Sequence, residues 1–316
     1  MANILVTGAT GFIGRRLLAY LYQHGHKTRA AIRRPSSAAD VPGDSVVVGE
    51  IDADTDWSRA LGETEVIVHL AARVHVMHET EDDPLTAFRK VNTEGTIKLA
   101  ESAAAAGVKR LVYLSSIKVN GEETHGQAFK ASDESNIPTD PYGQSKWETE
   151  QALKEVSKRT GLELVIIRPP LVYGPGVKAN FLSLIKLIKS GLPLPLGSIK
   201  NRRTMVALDN LVDLIKLCCE HPAAAGRVFL AADDESVSTA ELLEKIAQAF
   251  GKKPHLISIP EKLMSLMTKL IGKKEVWRRL AGSLEVDNSE AKQLLGWQPV
   301  TSMSDELKRI AVSMQK

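Results

Sequence analysis

Hydrophobic positions fall into short, near-continuous runs in the first half of the chain: NILVT, KTRAAI, SVVVG, EVIVHLA, RLVYLSS and LELVIIR. Such runs are β-branched and apolar at consecutive positions, as parallel strands covered on both faces require, and they predict strands. Between them the apolar spacing changes to three and four residues, which predicts helices at Phe12–Gln23, from Pro84 to Ala106 with a stop at Gly107, and over Tyr142–Thr160 with a stop at Gly161. Strand and helix alternate, so the expected fold is α/β with a doubly wound parallel sheet.

Beyond Arg168 the pattern changes. Pro- and Gly-rich loops, RPPLVYGPG and GLPLPLG, separate helical stretches, and RVFLAA is the one further clear strand. The expected division is residues 1–170 as the sheet domain and 171–316 as a smaller mixed α/β lobe for substrate, with segments near 203–232 packing back on the sheet. No internal repeat or low-complexity tract is evident, and the run Ala103–Ala106 fits a helix end.

Composition narrows the class. A chain of 316 residues exceeds one average domain, and a net charge of +3 is too small to imply a nucleic-acid surface. The only cysteines, Cys218 and Cys219, are adjacent within an apolar helical run, which suits neither a disulfide framework nor metal spacing. The opening MANILVTGATGFIG has no basic region followed by a long apolar segment, and no run approaches the roughly 18 apolar residues of a membrane helix. A soluble, cytoplasmic protein without metal is expected.

Candidate chemistry starts at TGATGFIG, where Gly8, Gly11 and Gly14 stand between the first strand and the first helix. Glycine allows a tight turn and close backbone approach, and the helix N-terminus favours a pyrophosphate, so dinucleotide binding is expected through Gly8, Gly11, Phe12, Ile13 and Gly14. The second strand ends in Arg33 and Arg34 rather than in the acidic residue that takes the ribose hydroxyls of NAD. Guanidinium groups suit a 2′-phosphate, so the cofactor is NAD or NADP with a lean to NADP.

Tyr142 and Lys146 stand at i and i+4 and project from one helix face. A phenol with its ordinary pKa of about 10 is a poor base at neutral pH; a neighbouring ammonium, together with a positive nicotinamide, is expected to lower that value. A lone Tyr-x-x-x-Lys is ordinarily a surface pair. Here the strand RLVYLSS delivers Ser115 and Ser116 to the carboxyl edge where ligands bind in this fold, and a serine there can hydrogen-bond the oxygen on which the tyrosine acts.

These residues resemble the extended short-chain dehydrogenase/reductase superfamily, the NAD-dependent epimerase/dehydratase family, along nearly the whole chain. The resemblance implies a Rossmann domain, a catalytic group of Ser116, Tyr142 and Lys146, and cofactor contacts at Glu50 and Ile51 of VVGEID, at Leu70, Ala71 and Ala72 of HLAA, at Asn92 of VNTEGT and at Pro169 of RPPLVYGPG. It implies substrate contacts at Asn180, at Leu194 of LPLPLG, and at Arg203, whose fork suits a diphosphate. Leu284 aligns where epimerases confined to unacetylated hexoses carry a bulky aromatic, which implies room for a C2 acetamido group.

Ile117 and Lys118 replace the Asp-Glu pair of sugar-nucleotide dehydratases, which removes the acid and base of dehydration, and Asn180 with Arg203 fits a diphosphate better than a steroid. Two activities at sugar C4 stay open: a UDP-hexose or UDP-N-acetylhexosamine 4-epimerase, and an NAD(P)H-dependent reductase of a UDP-4-keto-6-deoxy-N-acetylhexosamine. ARVHVM and LPLPLG resemble bacterial surface-polysaccharide (O-antigen) enzymes. A non-catalytic nucleotide sensor is the remaining alternative, although such proteins often lose the tyrosine or the lysine. A homodimer through the helices Pro84–Ala106 and Tyr142–Thr160 is implied as well. Leu263, Met267, Leu270 and Ile271 form a helical stripe better suited to lobe packing than to a membrane. His75 and His78 are within reach of a sugar or are ordinary loop residues, and Lys118 has no assigned role.

Overall fold

NILVT forms β1 (Asn3–Thr7), and the glycine turn leads into α1 (Phe12–Gln23), then β2 (Lys27–Ile32), β3 (Asp44–Val47), the short α2 (Ser58–Leu61) and β4 (Val66–His69). The computed structural model describes residues 1–74, 83–133, 137–270, 272 and 274–315, so His75 and His78 lie outside the described residues. Next come α3 (Pro84–Phe88), a π-helical turn (Arg89–Glu94), α4 (Gly95–Ala105), β5 (Arg110–Leu114), α5 (Pro141–Thr160) and β6 (Glu163–Arg168). The chain continues through β7 (Val172–Tyr173), α6 (Ala179–Ser190), β8 (Arg203–Thr204), β9 (Val206–Ala207), α7 (Leu208–Glu220), β10 (Val228–Leu230), β11 (Ser236–Val237), α8 (Thr239–Ala249), α9 (Glu261–Leu270), α10 (Lys274–Ala281), α11 (Ser289–Leu295) and α12 (Met303–Ser313).

Seven strands pair in parallel in the order β10-β6-β5-β4-β1-β2-β3. The Rossmann sheet expected from the apolar runs is therefore present. Strand alternation divides its two faces: Ile4 and Val6 of β1 join the core under α1, α7 and α11, whereas Leu5 joins the core under α2, α4 and α5. Leu17, Leu18 and Leu21 of α1 are fully buried, each contributing about 1.5–3 kcal/mol of transfer free energy. A third core is built from α6, α8 and α12. The late segments α7 and β10 lie against α1 and β6 respectively.

Two features escaped the apolar pattern. Strands β7, β8, β9 and β11 are two residues each, too short for any periodicity, and they form two small ladders. The helix expected from Pro84 to Ala106 is interrupted by the π-helical turn at Arg89–Glu94, a form that recurs at functional sites. Asn92 sits in that turn, fully buried, with its side chain spent on other segments. Both cysteines are free and buried in α7. No described helix is long and apolar enough to cross a membrane.

Candidate active site

Strand order reverses between β1 and β4, which are neighbours, and in sheets of this kind ligands bind beyond the carboxyl ends of the strands at such a switch point. Thr7 and His69 close the two strands and bond to each other, Thr7 Oγ1 to His69 Nδ1, at 2.7 Å; Thr7 Oγ1 also accepts from the Ala71 N–H at 3.2 Å, and His69 Nε2 reaches Thr96 Oγ1 at 2.8 Å. Burial, helped by the nearby Lys146, pushes the His69 pKa down to about 3, so the ring is a neutral brace. Gly8 turns the chain here with φ of 65°, and a Cβ on it would sit 2.7 Å from the Ala71 nitrogen. At Gly14 a Cβ would sit 2.3 Å from the Gly8 carbonyl oxygen, so only glycine lets α1 start this close to β1.

The α1 N-terminus has Gly11 as its cap, without a side-chain acceptor and without an acidic residue in the first turn. Its opening amides and dipole are thus offered to an anion, and the residues fit the pyrophosphate of a dinucleotide. Phe12 and Ile13 lie half-buried behind that turn, and Leu70, Ala71 and Ala72 are half-buried across it. Arg33 and Arg34 stand exposed just after β2, Arg33 within 3.4 Å of the equally exposed Glu50. Ile51 is half-buried beside it.

Asp140 caps α5 by accepting the Gly143 N–H at 2.7 Å, and Pro141 at the first helical position sets the helix entry. Tyr142 therefore emerges from the first turn, its ring edge-on to Phe88 at 5.9 Å. One turn on, the buried Lys146 ammonium donates to the Leu114 carbonyl at 2.8 Å and lies 4.5 Å over the Tyr113 ring. Leu114 ends β5, so Lys146 is tied to the strand that delivers Ser115 and Ser116. The Ile117 N–H donates to the Pro169 carbonyl at 3.0 Å and holds this serine turn against the loop after β6.

The two serines part company. Ser115 is buried and donates to Glu150 Oε1 at 2.5 Å, while Ser116 stays half-buried, its Oγ accepting the Lys118 N–H at 3.3 Å. Glu150, fully buried one turn beyond Lys146, also takes a two-point bond from Arg168 at 2.9 and 2.5 Å, and Arg168 donates onward to Asn120 Oδ1 at 3.0 Å. Sequence reasoning missed Glu150. The spacing of Tyr142, Lys146 and Glu150 at i, i+4 and i+8 was the available signal.

Among the protein's own groups, burial, with the Asp140 charge, raises the Tyr142 pKa to about 12, and burial takes Lys146 down to about 7 against the opposing pull of Glu150. Low dielectric disfavours both charged forms.

Asn92 accepts the Arg73 N–H at 2.8 Å and donates to the Arg73 carbonyl and to Ser145 Oγ, both at 3.1 Å, so it joins the segment after β4 to α5. In the lobe, Asn180 is exposed on the first turn of α6. Leu194 is buried in the lobe core, and its backbone pairs with His255 and Ile257. Arg203 donates to the carbonyls of Arg279 and Gly282 at 3.1 and 3.0 Å, at the end of α10, and burial lowers its pKa. Leu284 bridges to Arg203 and packs with Ile117, next to Ser116. Leu263 is exposed on α9, and the side chains of Met267, Leu270 and Ile271 lie outside the described residues.

A family model described as the NAD dependent epimerase/dehydratase family matches residues 4–232. A Vibrio cholerae protein named UDP-glucose 4-epimerase is 46% identical over 312 residues, 98% of this chain and 94% of that protein. An Escherichia coli O157:H7 protein named N-acetyl-alpha-D-glucosaminyl-diphospho-ditrans,octacis-undecaprenol 4-epimerase is 27% identical over 86% of this chain and 82% of its own length. Among solved structures, UDP-glucuronic acid 4-epimerase from Bacillus cereus in complex with NAD superposes with a TM-score of 0.78 at 22% identity, covering 99% of this chain and 98% of that one.

Proposed function

The chain belongs to the NAD dependent epimerase/dehydratase family, and from that premise we propose that it is a nucleotide-sugar 4-epimerase acting on a UDP-hexose or UDP-N-acetylhexosamine. The observation that carries the reading is the Tyr142–Lys146 pair standing over the end of β5, with Lys146 anchored on Leu114 beside Ser116. A nicotinamide dinucleotide held at the glycine turn and the carboxyl ends of β1 and β4 would supply reversible hydride exchange with sugar C4. Tyr142 takes the proton of the C4 hydroxyl and later gives it back; Ser116 hydrogen-bonds the same oxygen; Lys146 supports the phenolate.

Gly8, Gly11, Phe12, Ile13 and Gly14 hold the pyrophosphate in this reading, and Glu50, Ile51, Leu70, Ala71, Ala72, Asn92 and Pro169 line the remaining cofactor. Asn180, Leu194, Arg203 and Leu284 serve the nucleotide sugar. Arg203 would exchange its bonds to the end of α10 for a diphosphate. The exposure of Arg33 and Arg34 favours a second reading, an NADP-using 4-ketoreductase, because Arg34 and the partly paired Arg33 could meet a 2′-phosphate. Assembly is proposed as a homodimer through the segments 84–106 and 142–160, where the small, exposed Ala105 and Ala106 permit close helix approach, Ala103 being buried within the fold. Light scattering at micromolar concentration checks it, a monomer being the contrary result.

Incubation of the purified protein with UDP-N-acetylglucosamine and no added cofactor should yield the galacto epimer. Absence of epimer with consumption of NADPH on a 4-keto sugar would replace the epimerase by the reductase.

A further inference from the structure

Lys118 lies two residues beyond Ser116, in the short 3₁₀ turn Ile117–Val119, and its ammonium points toward the start of α5. Nζ is 2.9 Å from Asp140 Oδ2, 3.6 Å from Glu122 and 5.9 Å from the centre of the Tyr142 ring. The same Asp140 oxygen accepts the Gly143 N–H that caps the helix, so one carboxylate binds both the lysine and the turn carrying Tyr142. Gly143 makes the approach possible: a Cβ there would sit 3.3 Å from Lys118 Cβ and 3.1 Å from Asp140 Oδ2. Glu122 in turn pairs with Arg278 of α10 at 3.0 Å.

We propose that Lys118 is a positioning residue for Tyr142, neutralising the Asp140 carboxylate beside the phenol and fastening the serine turn to the helix start, so that the phenol can surrender its proton. The inference rests on the reading of Tyr142 as the proton acceptor. The titratable and charged groups around the ring are Asp140 and Lys146 on its own helix and cap, Lys118 after β5, and Tyr113 on β5; Glu150 acts on Lys146 and Tyr113, with its charge engaged by Arg168. Asp140 is the charge that opposes ionisation of Tyr142. Lys118 is the cation bound to it, and its attraction for phenolate has the same sign.

The test compares wild type with Lys118→Gln, Lys118→Arg, Asp140→Asn and the double variant Lys118→Gln/Asp140→Asn. Asparagine still caps a helix, so Asp140→Asn removes charge while keeping the turn. On the nucleotide sugar, the acidic limb of the kcat/KM profile should move up by about one pH unit in Lys118→Gln, down in Asp140→Asn, and stay near wild type in the arginine and double variants. A merely structural lysine would lower thermal stability and leave the limb in place, and that result overturns the proposal. If wild type turns over no nucleotide sugar, the functional reading falls, and Lys118 is then judged from the ring titration of ¹³C-labelled tyrosine, assigned with Tyr142→Phe. The order Asp140→Asn, wild type, Lys118→Gln in rising midpoint sustains it; coincident midpoints refute it.

Discussion

Replacing Glu150 with Gln probes the charge cluster under the site. Glu150 and Arg168 are both essentially withdrawn from water, at 0% and 3% exposure, and their two-point bond is the guanidinium's only ion pair among the described residues. Gln keeps the volume but leaves the Arg168 cation without a counter-charge, while Ser115 keeps an acceptor. Removing one member of such a pair costs about 3–5 kcal/mol, because the remaining charge stays buried. At about 2 °C per kcal/mol for a chain of this size, the melting temperature should fall by ~6–10 °C. The urea midpoint should drop with an unchanged slope. A double replacement, Glu150→Leu with Arg168→Met, should recover much of the loss, since an apolar pair needs no counter-charge. The same Gln also withdraws the carboxylate that favours the Lys146 ammonium, so turnover near pH 7 should fall beyond what unfolding explains. A melting temperature within ~2 °C of wild type, or a double variant no better than the single, would refute the charge argument.

Three further outcomes are expected. Tyr142→Phe should lower kcat by about 10²–10⁴ with dinucleotide affinity retained in a titration, since only the proton step is removed. Leu284→Tyr should depress kcat/KM for the N-acetylated sugar at least ~10-fold more than for the plain hexose, because a ring beside Ile117 would fill the space of an acetamido group; equal losses would show that the position does not gate C2. Lys146→Met should be more stable than wild type at pH 7, with the gain shrinking toward pH 10 in a series of melts. Lysine ionises near 10.4 unfolded and near 7 in the fold, so its contribution is full above the first value and is lost as pH falls through the second.

Much of the molecule is legible locally. The seven parallel strands follow from near-continuous apolar runs, and α1 at Phe12–Gln23, the glycine turn and the shared face of Tyr142 and Lys146 from spacings of three to four residues; both act through neighbouring backbone geometry and are written directly in the chain. The tertiary structure decided what depends on distant partners. Which of two adjacent serines is buried and spent on an internal bond was decided by Glu150, 35 residues from Ser115. The π-helical turn in the helix after Pro84 accompanies bonds from Asn92 to Arg73 and Ser145. The direction of the Tyr142 pKa was set by burial and by Asp140, not by the lysine one turn away. Arg203 is held by the end of a helix 76 residues onward. A side chain's identity fixes what it can bond, but a low-dielectric interior and partners from remote segments determine which bond and which charge it keeps.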